Sequence, residues 1–171
     1  MLSNFYWVLE NEIAGMALPT AGRAFHFLDN ADLAVKEELE REIQELTLHG
    51  IGSVVSLTES PIAAKPLIDA GFRFLHLPIP DMTAPTPSQI EEFVHFAHTS
   101  VAEGKPVVLH CLAGAGRTGT MIACYLVSKG EPPLRAIQTV RNKRPGAIET
   151  RWQEDAIFEY AALLQERQNL T

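Results

Sequence analysis

The chain has 171 residues, 46% of them apolar, with 14 Lys and Arg against 21 Asp and Glu for a formal net charge of −7. That size suits a single domain, 1–171, with one full core. The negative charge argues against partners held by bulk electrostatics, so neither nucleic acid nor an anionic membrane is expected and any anion site must be local.

Residues 1–15 carry Glu10 and Glu12 but no Lys or Arg, unlike the basic start of a secretory signal. Residues 12–16 read as a first strand. Asn30 reads as the N-cap of an amphipathic helix running to about residue 49. Leu33, Leu39, Ile43 and Leu46 form its apolar stripe, and Glu37, Glu38, Glu40, Arg41, Glu42 and Glu45 its solvated face. Residues 51–57 are a β-branched strand, and Ser60-Pro61 reads as N-cap and first position of a helix that Gly71 ends. A strand at 72–77 stops at Pro78-Ile79-Pro80-Asp81, because two prolines remove ladder donors. A loop therefore presents Asp81. Thr86-Pro87-Ser88-Gln89 combines an N-cap, a first-turn proline and a capping-box glutamine, opening a helix to about residue 103.

Residues 106–110 form a buried strand, followed by a glycine-rich loop and a helix from about 118 to 129 that Gly130 ends. Helices follow at 134 to about 143 and 151 to about 166, the last with a capping box of Thr150 and Gln153. No repeat, linker or low-complexity tract divides the chain, and no apolar run reaches the roughly 18 residues of a bilayer span. Strands alternating with helices imply an α/β fold with a central, largely parallel sheet flanked by helices. Ligands bind such sheets beyond the carboxyl ends of the strands.

The chemistry is concentrated after the strand at 106–110, in His110-Cys111-Leu112-Ala113-Gly114-Ala115-Gly116-Arg117-Thr118. Two glycines among small residues let the backbone curl so that successive amides point at one centre, a nest for a tetrahedral anion. The amides of Leu112, Ala113, Gly114, Ala115, Gly116 and Arg117 are the expected phosphate cradle, and the following helix start adds positive potential that favours a Cys111 thiolate. The Arg117 fork can grip two phosphoryl oxygens, more tightly as charge spreads in the transition state. In-line attack by the thiolate would give a cysteinyl-phosphate. Thr118 can donate to the sulfur as it departs. Asp81, on its proline-flanked loop, is the expected proton donor, on a strand expected to lie beside 107–110. His110 either orients the loop through its ring nitrogens or simply packs.

Only two cysteines are present, Cys111 and Cys124. Neither has metal-ligand or CxxC spacing, so no disulfide framework, metal or cofactor is expected. A reducing, cytoplasmic setting fits a working thiol. Cys124 reads as helix packing, Arg141, Lys143 and Arg144 as either a pocket rim or a solvated helix end, and Trp7 and Trp152 as core anchors.

The run His-Cys-x5-Arg-Thr-Gly resembles the signature of cysteine-based protein tyrosine phosphatases. Trp7-Val8-Leu9, residues 14–19 and 55–59, Ile79-Pro80-Asp81 and Ile148-Glu149-Thr150 extend the likeness to the very small atypical dual-specificity phosphatases. The resemblance covers residues 5–160, with an extra acidic stretch at 30–46. It implies Cys111 as nucleophile, Arg117 as phosphate clamp, Asp81 as general acid then base, and Thr118 as helper of the leaving thiol. Glu149 falls where larger relatives keep a water-positioning glutamine, and is either that or ordinary electrostatics at a helix start. The phosphotyrosine-recognition segment of the larger enzymes is not recognisable, which implies a shallow pocket admitting phosphotyrosine and phosphoserine or phosphothreonine in proteins or peptides. Phosphoinositide-directed relatives carry lysines in the loop, where Leu112, Ala113 and Ala115 stand here. The expected protein is a monomeric protein phosphatase. Its rivals are a phosphate-binding pseudophosphatase, an RNA 5′-phosphatase, disfavoured by the acidic charge, and a sulfur-transfer or arsenate-reducing enzyme, which would not need Asp81.

Overall fold

The computed structural model describes residues 2–19 and 33–170. Tyr6–Leu9 (β1) and Ile13–Met16 (β2) form an antiparallel hairpin. β1 escapes the sequence reading because Tyr6-Trp7-Val8-Leu9 shows no alternation, and its turn uses Asn11 at φ 59° rather than a glycine. Then come Leu33–Leu48 (α1), Ser53–Ser56 (β3), Ala64–Asp69 (α2), Arg73–His76 (β4), Pro87–Ala102 (α3), Val107–His110 (β5), Gly116–Ser128 (α4), Pro133–Lys143 (α5) and Arg151–Asn169 (α6).

The sheet order is β1-β2-β5-β3-β4, with β2, β5, β3 and β4 parallel and β1 an antiparallel edge. This is the expected α/β architecture. Successive strand residues face opposite layers. Val55 and Leu109 join the core built with α3, α4, α5 and α6, whereas Val54 and Val108 join Leu39, Leu46 and Leu67 of α1 and α2. Both faces are covered, so every residue of β2, β3 and β5 is buried, Ser53, Ser56 and His110 included. Residues 116–127 of α4 are all buried.

Register gathers the functional loops. Met16 and Ser56 both pair with His110, and Ser56 pairs with His76, so four parallel strands end level. The segments after them meet at one sheet edge, as expected of the fold class. One expectation is corrected: β4 lies beside β3, not beside β5. Asp81 crosses the gap because the chain after β4 runs along the end of β3, with Leu77 N donating to Ser56 O (2.9 Å) and Ile79 N to Leu57 O (3.2 Å).

Both expected capping boxes form, Thr86 with Gln89 and Thr150 with Gln153. Ser60-Pro61 does not open α2. The chain first buries Ile62 and Ala63, and Ala63 precedes the helix without a side-chain cap. In α1, Glu42 is 6% exposed, contrary to its expected solvated place, because it stands three residues after Leu39 and four before Leu46 on the buried stripe. Leu33, six residues before Leu39, falls off that stripe and is 72% exposed. The Asn30 cap lies outside the described residues. Trp152 is 73% exposed and anchors no core, whereas Trp7 packs against the α1 side.

Candidate active site

Cys111 follows β5 directly and is buried. The loop that it opens is held from outside, carbonyl by carbonyl. His110 O accepts from Leu57 N (3.0 Å), Leu112 O from Leu18 N (3.0 Å), and Ala115 O from Gly119 N (2.8 Å) and Ile148 N (3.4 Å). Ala113 O accepts from Arg144 Nη2 (3.2 Å) and Gly114 O from the Tyr6 hydroxyl (2.8 Å). A pinned carbonyl fixes its planar peptide unit and turns the next amide the other way, to the inside of the curve. The bonds on these carbonyls come from four distant segments and suit the nest expected from the glycine content. Unlike α3 and α6, α4 starts without a side-chain cap, which leaves its first amides free for an anion.

Arg117 belongs to the first turn of α4 rather than to the loop, because the nest already runs helical at Gly116. Its side chain is 2% exposed. Nη1 donates to Ile79 O (2.9 Å), and Nη2 stands 2.8 Å from Asp81 Oδ1. That second approach is an ion pair without hydrogen-bond alignment, since Nε and Nη2 have no hydrogen-bond partner. Two donors of a buried guanidinium are therefore unspent. The Thr118 hydroxyl is likewise buried and unpartnered. Leu18, Thr58, Glu59, Ser60, Leu112 and Arg117 line a cleft of about 180 Å³, with Leu112 53% exposed at its lip.

The structure thus brings Cys111, Arg117, Thr118 and Asp81 to one sheet edge. Glu149 joins them from the loop before α6, so close to the backbone of Gly116 that a Cβ there would lie 2.2 Å from its Oε2. Gln153, wholly buried, accepts from the backbone N of Glu149 and of Thr150 and donates to Thr83 O. Ile148 takes φ 59°, a strained value for a β-branched residue, and is held there by Ala115 O and Arg141 Nη2. Of the basic cluster, Arg144 rims the loop, whereas Arg141 is spent on Ala147 O, Ile148 O and Glu154. Sequence reasoning missed the role of Tyr6 altogether, and saw Gln153 only as a cap. Burial pushes the Tyr6 phenol above its ordinary range, with the nearby Cys111 adding to the effect, so it remains a donor to Gly114 O. Burial does the same to the Cys124 thiol, a packing residue as expected. Among the described residues, no group of three or more His, Cys, Asp or Glu is arranged for a metal ion, and no helix is long and apolar enough to cross a membrane.

His110 is fully buried, with Nδ1 3.4 Å from Cys111 O and Nε2 unpartnered. Desolvation pushes its imidazole from 6.5 down to about 4; His76 and Arg117 add to the fall and the Cys111 carbonyl opposes it. The native state therefore binds fewer protons than the unfolded chain between those values. The resulting stability is complete above the unfolded value and is lost as pH falls through about 4. In full it is about 3 kcal/mol, of which roughly 2 kcal/mol is lost between about pH 7 and 5. Urea unfolding should show that loss in the wild type and a flatter profile for His110→Gln. An unchanged slope in the variant would place the pH dependence elsewhere.

Comparison with known proteins bears on the family and the fold. Residues 31–131 match the family described as "Polymorphic toxin system, DSP-PTPase phosphatase". Human dual specificity protein phosphatase CDC14C is 34% identical over 110 residues, which are 64% of this chain and 24% of that protein. The chain thus spans about a quarter of that relative. The phosphatidylglycerophosphate phosphatase PTPMT2 of Arabidopsis thaliana is 27% identical over 164 residues, 93% of this chain and 72% of that one. In three dimensions, the crystal structure of Tk-PTP in its active form superimposes with a TM-score of 0.76 at 31% identity, covering 95% of this chain and 99% of the other.

Proposed function

The chain belongs to the DSP-PTPase phosphatase family, and from that premise we propose that it is a single phosphatase domain hydrolysing phosphotyrosine, phosphoserine and phosphothreonine monoesters in proteins or peptides through a phosphocysteine at Cys111. The supporting observation is the outward pinning of the loop carbonyls around a buried cysteine, beside an arginine with two unspent donors.

Phosphate enters the nest and meets Arg117 Nε and Nη2, exchanging the Arg117–Asp81 ion pair for an Arg117–phosphoryl pair. Released from Arg117, the Asp81 carboxylate takes up a proton from solvent and faces the leaving oxygen as the acid. The Cys111 sulfur attacks phosphorus in line, the bond to the leaving oxygen breaks, and Asp81 gives that oxygen its proton. Asp81, now a carboxylate, takes a proton from the water that attacks the phosphocysteine. The sulfur departs as thiolate, stabilised by the Thr118 hydroxyl and the α4 amides. Leu112, Ala113 and Ala115 put no cation inside the loop, and Leu112 stands at the lip of a cleft that Glu59 also lines, which supports side-chain monoesters over polyanionic headgroups or RNA ends. Two buried, reduced cysteines support a cytoplasmic setting, and we take the working unit to be the monomer.

The test is phosphate release from phosphotyrosyl and phosphoseryl peptides, and from phosphatidylglycerophosphate, between about pH 4 and 8. The wild type should turn over both peptides faster than the lipid. Cys111→Ser should fall to background, and Asp81→Asn should lose the basic limb of the profile. Acid quenching should trap phosphate on the wild type but not on Cys111→Ser. Vanadate binding without turnover would make the loop a reader of phosphoproteins instead, and lipid hydrolysis alone would reassign the substrate.

A further inference from the structure

The Asp81 loop is clasped at both ends by the two capping-box glutamines. Gln89 accepts the Thr86 N–H on Oε1 (3.0 Å) and donates from Nε2 to Pro78 O (2.8 Å). Gln153 accepts the Thr150 and Glu149 N–H groups on Oε1 (3.2 and 2.8 Å) and donates from Nε2 to Thr83 O (3.2 Å). Each caps its own helix with one end and holds one flank of residues 78–83 with the other. A glutamate would serve the capping box equally well. Only an amide can also donate to a carbonyl.

The segment between the clasps is closed on itself. Thr83 closes it through N (3.2 Å) and Oγ1 (2.7 Å) to Pro80 O, with Met82 at φ 61°. Such a closed turn keeps its own shape, so external bonds decide where it points. The buried Ile79 anchors it through its N–H to Leu57 O (3.2 Å), and among the described residues Arg117 is the side chain that reaches it from inside the site, at Ile79 O and Asp81. In the proposed reaction Arg117 keeps Ile79 O but exchanges Asp81 for phosphate, so the direct restraint on the Asp81 carboxyl is lost when its position matters most. Gln153 Nε2 borders Gly116, but the clasps of both glutamines run to Pro78 O and Thr83 O without involving Arg117, so they keep their hold.

We infer that Gln89 and Gln153 are positioning residues of the acid step, fixing the Asp81 turn from α3 and α6 so that its carboxyl meets the leaving oxygen. This rests on the proposed role of Asp81. It also ties the reaction to α6, beyond the stretch that matches the family.

Gln153→Glu and Gln89→Glu keep the caps and remove the donors. Their kcat/KM is read on nitrophenyl phosphate, whose leaving group needs little protonation, and on phenyl phosphate, whose leaving group needs it. Each variant should lose about tenfold or more on phenyl phosphate and less than about threefold on nitrophenyl phosphate, and should weaken the basic limb of the pH profile. Added to Asp81→Asn, neither should cost anything further. Thr150→Ala, which breaks a cap but not a clasp, should lower Tm without altering the substrate ratio. If Gln153→Glu fails to fold, Gln153→Met, similar in size and without a donor, replaces it.

Equal losses on both substrates, losses that add to those of Asp81→Asn, or a Thr150→Ala variant with the same altered ratio would each overturn the inference and leave the phosphatase reading standing. A wild type that hydrolyses neither substrate overturns both.

Discussion

Arg117→Lys is expected to lower kcat/KM on aryl phosphates by roughly 10²–10³-fold, with most of the loss in kcat. The side chain is fixed by what surrounds it: 2% exposed, Nη1 on Ile79 O, Nη2 beside Asp81 without a hydrogen bond to it, and Nε unpartnered. A planar fork can hold Ile79 O and two phosphoryl oxygens at once, because its five donors radiate in one plane. Lysine offers one ammonium, which must choose between the carbonyl and the phosphoryl oxygens. The charge is conserved, so ground-state attraction for a dianion survives in part. What disappears is the two-point grip that tightens as charge spreads over the equatorial oxygens. Inhibition by vanadate, which copies the five-coordinate transition state, should therefore weaken more than inhibition by inorganic phosphate. Loss of the Ile79 bond also frees one tether of the Asp81 loop, so the basic limb of the pH profile should soften in the same variant. An Arg117→Lys enzyme within about tenfold of wild type would mean that the fork is not the phosphate clamp.

What the sequence shows of this site is what lies close together in the chain. Cys111 to Thr118 is one uninterrupted run, and the capping boxes at Thr86 and Thr150 span four residues each, so local patterns suffice to read them. The Asp81 loop is legible because proline has a local effect, but its position is not: the reading set β4 beside β5, and only the strand order shows that β3 intervenes. The supports are long-range. Tyr6 reaches Gly114 across 108 residues and Gln153 reaches Thr83 across 70, and no spacing rule connects such pairs. Glu42 shows a different failure. Charge alone assigned it to solvent, although its spacing from Leu39 and Leu46 already put it on the buried stripe.

Gly114→Ala tests whether the nest is held as rigidly as its bonds imply. Gly114 has φ 69°, and a Cβ there would lie 2.4 Å from Met16 O, 2.5 Å from Met16 C and 2.8 Å from Ala17 N. These are backbone atoms that cannot swing aside. Met16 is in register with His110, Ala17 N donates to Ser3 O (2.9 Å), and Leu18 N donates to Leu112 O (3.0 Å). Relieving the clash means lifting the loop off β2 and breaking the Tyr6 bond to Gly114 O. Gly130 provides the control, with φ 97° and nothing within 4 Å of the place a Cβ would take. Gly130→Ala carries only the conformational cost of an unfavourable φ, about 1 kcal/mol. Gly114→Ala adds the collision and should cost at least about 3 kcal/mol in urea unfolding, or else fold with the loop displaced and phosphate binding lost. Either outcome separates it from Gly130→Ala. Equal stability and equal vanadate affinity in the two variants would mean that the hairpin yields to the loop, and that the outward bonds to its carbonyls do not set its shape.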